Sequence, residues 1–128
     1  MNNLPETITT IGRGTFQRCE SLLSVKLPEE IVVLSKYCFQ GCNSLQDVTL
    51  NEDLRIVDEG CFSKCESPER VIVGGCLTRI GPFAFHNCSS LQNIELPDSI
   101  ENLGNEVFSY ESSERSERAV RAKTSNTP

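Results

Sequence analysis

"RCESLLSVKLPEEI", residues 18–31, and "GCNSLQDVTLNEDL", residues 41–54, are one phrase written twice, 23 residues apart. Each carries Cys, then Ser two residues on, then Leu-x-x-Val-x-Leu. The period runs through the chain. Phe16, Phe39, Phe62, Phe85 and Phe108 keep it, as do Cys19, Cys42, Cys65 and Cys88. Ser21, Ser44, Ser67 and Ser90 follow the same count. The aliphatic series Ile11, Leu34, Val57, Ile80, Leu103 and Val25, Val48, Val71, Ile94 stay in step, with no insertion between Leu4 and Phe108. Four full units and half of a fifth fit this frame.

A fixed period of this length marks a repeat architecture. Val25 and Leu27 are two apart, so a strand turns both to one face and leaves Ser24 and Lys26 on the other. Pro28 has no N–H for a ladder and ends that strand. Gly12, Gly81 and Gly104 recur after the second aliphatic position and mark a turn. Phe-x-x-Cys has helical spacing but room for only a turn or a short helix. One unit cannot bury its own Leu, Ile, Phe and Cys. Stacked units can, each adding a strand to a parallel sheet. The expected fold is a repeat solenoid over residues 1–109, with a short parallel concave β-sheet and a convex side of turns or short helices. Residues 110–128, rich in Ser, Glu and Arg, read as a disordered polar tail.

The run "ITTIGRGTFQRCESLLSVKLPEEI", residues 8–31, resembles the BspA-like leucine-rich repeats, whose hallmark is I-G-x-x-A-F-x-x-C-x-S-L-x-x-[VI]-x-[LI]-P. The match covers residues 4–108. It implies a right-handed leucine-rich-repeat coil, a protein partner, no catalysis, and a role in adhesion or recognition at a cell surface. Unit three departs from the pattern. Asn51 replaces Pro, Pro68 replaces the strand-opening Leu, and Gly74-Gly75 replaces the next Pro pair, so that rung is expected to be weaker.

Seven cysteines admit several chemistries. Cys38, Cys42, Cys61 and Cys65 have the look of two zinc-ligand pairs. However, Cys42 and Cys65 hold the repeat's own Cys position, and Cys38 and Cys61 hold a small-residue slot shared with Thr15, Ala84 and Val107. Free Cys packs as a small hydrophobe, so core cysteines are the expectation and no metal or cofactor is. A disulfide ladder would set identical positions side by side, a poor geometry for the S–S dihedral. The sole histidine, His86, fills a variable slot and is expected to be exposed, with no orienting partner for Cys88, so no enzyme is expected. Cys76 stands in a polar slot and is expected to be the exposed thiol. Asn87-Cys88-Ser89 is a formal glycosylation sequon that overlaps a core cysteine.

The net charge of −6 offers no basic face for nucleic acid. The apolar runs are too short for membrane insertion. "MNNLPETITT" has no secretory signal, which makes the cytoplasm the default compartment. The candidate protein-binding face is the outward side of the sheet, in two ladders: Ser24, Asp47, Arg70, Asn93 and Lys26, Thr49, Ile72, Glu95. Asp47 and Arg70 are expected to be neighbours that pair. The start shows no polar cap and the last unit loses phase at Glu111. These features suggest a segment of a longer array whose bare end rungs associate end to end. The alternatives to an interaction module are a structural spacer with no ligand and a cysteine-rich metal-binding protein.

Overall fold

The computed structural model describes residues 11–108. The expected tail at 110–128 lies outside them. Eight short strands form two parallel sheets. The first contains β1 (Ser24–Lys26), β3 (Asp47–Thr49), β5 (Arg70–Ile72) and β7 (Asn93–Ile94). The second contains β2 (Val33–Leu34), β4 (Ile56–Val57), β6 (Arg79–Ile80) and β8 (Asn102–Leu103). Each sheet follows rung order, and every partner lies 23 residues away: Val25 opposite Val48, Val48 opposite Val71, Val71 opposite Ile94. The register is set by burial. Val25, Val48, Val71 and Ile94 all lie in the core, and a slip of one residue would turn them outward.

The second sheet is not apparent from the repeat phrase. It arises where the aliphatic slot of Leu34, Val57 and Ile80 turns inward and its backbone pairs with the next rung. The convex segment forms turns, with no helix among the described residues. Its N–H groups alternate between two acceptors. Phe39 N–H donates to Cys61 O in the next rung (2.8 Å), and Gln40 N–H to Tyr37 O within its own (3.2 Å). Half of the donors a helix would need are therefore committed between rungs, which is why helical spacing yields turns.

Two left-handed positions recur in each convex turn. One is held by Gly14, Tyr37, Gly60, Phe83 and Glu106, the other by Arg18, Gly41, Lys64 and Asn87, with φ between 50° and 73°. Gly12, Gly81 and Gly104 stand immediately before the turns they mark, and none of the three is itself left-handed. Gly60 has a second reason to be glycine. A Cβ there would meet the Tyr37 ring at 2.5 Å, so the tyrosine of one rung lies over the glycine of the next.

The core runs along the solenoid axis. Phe16, Phe39, Phe62, Phe85 and Phe108 stack with ring centroids 5.2–5.9 Å apart and planes within 14°. Rung three accommodates its departures. Pro68 is buried in the Leu slot, and Gly74 comes so near the preceding rung that a Cβ would meet Glu52 Cα at 2.5 Å. Gly75 N–H donates to Glu52 Oε1 at 3.1 Å.

Candidate interaction face

The outward side of the first sheet presents the two expected ladders. Lys26, Asp47, Thr49, Arg70, Ile72 and Glu95 are exposed, and Ser24 is half-buried. Asn93 joins through its backbone, opposite Arg70. Ile72 is 50% exposed, large for an aliphatic side chain on a strand. The expected Asp47–Arg70 pair does not form. Among the described residues the one ion pair is Lys36–Glu59, 3.7 Å, on the convex side. Side chains on adjacent strands need not meet when both are solvated, because an exposed pair gains little.

Of these, Asp47, Thr49, Arg70 and Ile72 line a shallow trough of about 690 Å³ across rungs two to four. Its rim adds Gln46, Glu66, Glu69 and Gln92, which the ladder reading leaves out. Gln46, Glu69 and Gln92 keep the 23-residue spacing one residue before the strands, and that spacing is the signal that would have found them.

The buried cysteines are structural. All seven are free, and Cys38, Cys42, Cys61, Cys65 and Cys88 are buried. Each ladder thiol reaches back one rung: Cys42, Cys65 and Cys88 donate from Sγ to the carbonyls of Phe16, Phe39 and Phe62, each at 3.1 Å. Cys is thus more than a filler of alanine size, because it joins the backbones of adjacent rungs. Among the described residues no group of three or more His, Cys, Asp and Glu is placed to hold a metal. Cys76 is exposed, as its polar slot implied.

Burial pushes the Cys88 thiol up to about 12 from its ordinary 9.0. The neighbouring Cys42 thiol and burial raise Cys65, and burial raises Cys61 well above its usual range. A raised folded-state value means the unfolded chain loses these protons first. The stabilisation is therefore complete below the unfolded value near 9 and is lost as pH climbs from there towards 12 for Cys88. Thermal melts at pH 7 and pH 10 should show the lower midpoint at pH 10. Cys88 alone accounts for at most about 1.4 kcal/mol per pH unit in that window.

His86 departs from its expected exposure. It is half-buried, edge-on to Phe83 with centroids 5.4 Å apart, and its Nδ1 is buried with no hydrogen-bond partner. On the same convex side, Tyr37 O–H donates to Glu59 Oε2 at 3.0 Å, and the Arg13 guanidinium lies 5.4 Å from the Tyr37 ring centroid. This network ties three rungs at the surface.

The BspA type leucine rich repeat region matches residues 2–115, in six copies. The chain belongs to that family. Its rungs also superpose on solved leucine-rich repeat proteins. One from T. pallidum shares 30% identity at a TM-score of 0.75, over 81% of this chain and 48% of that one. One from Bacteroides ovatus shares 36% at 0.76, over 82% and 27%. A leucine rich cell surface protein from Faecalibacterium prausnitzii shares 24% at 0.73, over 91% and 33%, a likeness of fold alone. The chain thus spans about half or less of each of these proteins. No curated protein matches it. Leucine-rich repeats of this kind are protein-interaction modules. No helix among the described residues is long and apolar enough to cross a membrane.

Proposed function

We propose that this BspA-type chain is a non-enzymatic recognition module that binds a protein partner on the outward face of the β1-β3-β5-β7 sheet, in surface recognition or adhesion. The observation that carries the reading is the exposed, unpaired charge of that face beside an exposed aliphatic side chain. Asp47 and Arg70 stand exposed in adjacent rungs without pairing, beside the exposed Ile72. On the convex side, by contrast, Tyr37 and Lys36 both engage Glu59. The non-enzymatic reading is supported by Cys61, Cys65 and Cys88: buried, with their thiols pushed above the usual range, they lack the thiolate a nucleophile needs. Adhesion and a surface location rest on the family resemblance.

A structural spacer with no ligand is the second reading. It is favoured by the lack of an aromatic anchor among the described residues of the sheet face, where strong interfaces usually place one. One experiment separates the two. Purified protein carrying Asp47→Lys and Arg70→Glu is compared with wild type for retention of surface proteins, beside a convex control, Arg13→Glu with Lys64→Glu. Loss of a partner by at least about tenfold in the first variant only is expected, since interface charges placed against like charge cost a few kcal/mol. A partner retained equally by all three proteins would remove the sheet face from consideration.

A further inference from the structure

We propose that the trough on the first sheet takes an extended, positively charged protein segment that sets one apolar side chain against Ile72. The proposal rests on the sheet face being the recognition surface and adds the chemistry of the partner. The trough carries three carboxylates, Asp47, Glu66 and Glu69, against one guanidinium, Arg70. None of the four side chains has a hydrogen bond or an ion pair among the described residues, so their charge is uncompensated within the fold. The whole chain adds a net −6, which steers cationic partners towards it. Ile72, half exposed beside these charges, supplies an apolar contact that a polar ligand would leave unused. The floor repeats short strands rung after rung, a narrow strip along which an extended chain can lie. Arg70 sets the specificity, because it repels a segment with a cation opposite it and so selects the placing of positive residues along the chain.

The test uses fluorescence anisotropy with a labelled octapeptide of alternating Lys and Val, and the same peptide with Glu for Lys. Wild type should bind the Lys peptide and not the Glu peptide, and binding should weaken at least about tenfold between 20 mM and 200 mM salt as screening grows. Asp47→Lys with Glu69→Lys should weaken it by about tenfold or more, and Ile72→Ser by severalfold. Glu29→Lys with Glu30→Lys alters the net charge equally, away from the trough, and should leave binding within twofold. Unchanged melting midpoints for these exposed substitutions show that the fold is kept. Equal weakening by the Glu29/Glu30 variant would reduce the effect to general attraction and overturn the proposal. So would binding of the Glu peptide, or no binding of the Lys peptide. The two readings fail separately. If the Lys peptide does not bind but sheet-face substitutions still abolish partner retention, the face stands and the cationic segment falls. If neither responds, the face itself falls.

Discussion

Phe62→Ala should remove about 3–5 kcal/mol of stability, read as a lower urea midpoint. Phe62 is 1% exposed and stacked on both sides, on Phe39 at 5.2 Å and on Phe85 at 5.5 Å. Its loss leaves a cavity at the middle of the column and removes two ring contacts, worth about 0.5–1.5 kcal/mol each beyond area. Because rungs are coupled only to their neighbours, the damage also weakens cooperation between the two halves. The transition should broaden, a signature that a change at the column's edge lacks. Phe16→Ala, at a half-buried end ring, should cost clearly less. Equal costs at the two positions would mean that the column is not the core.

Gly74→Val should cost about 1–3 kcal/mol through overpacking, and more if the backbone cannot move. A Cβ at 74 meets Glu52 Cα at 2.5 Å and the Asn51 carbonyl oxygen at 2.7 Å, and backbone atoms cannot rotate aside. Gly75→Ala is the control, since its Cβ meets only the flexible Glu52 Oε1 at 3.5 Å. Hydrogen exchange should localise the loss to β5 and the Leu50 N–H to Ile72 O bond that adjoins it. Equal losses at 74 and 75 would mean that rung three is simply weak, rather than built around a close approach.

The rung was legible in the sequence because its information is redundant. Five phenylalanines and four cysteines in one frame report the stack, and the register follows from the period. The exposed residues of the sheet face were legible for the same reason: Lys26, Thr49, Ile72 and Glu95 stand between the inward Val or Ile and Leu or Val of the phrase, and Asp47 and Arg70 stand just before the inward Val. Other features depend on contacts between rungs, which a one-dimensional pattern does not record. The second sheet rests on only two residues per rung, such as Ile56–Val57, too short for alternation to show. The left-handed slots hold Tyr37 and Phe83 where Gly would announce them. Asp47 and Arg70 are adjacent by register, but burial, the force that fixes core geometry, does not act on exposed charges. His86 lies in a polar slot, and its edge-on contact with Phe83, three residues earlier, is not recorded in the repeat pattern.

The claim that recognition is written on the sheet face is tested most directly by mapping amide chemical shifts of ¹⁵N-labelled protein as the Lys-Val peptide is added. The expected result is a contiguous set of shifted amides at Asp47, Thr49, Arg70 and Ile72, with the convex turns at Arg13, Tyr37 and Lys64 unmoved. Shifts confined to those convex turns, with the sheet face unmoved, would contradict it.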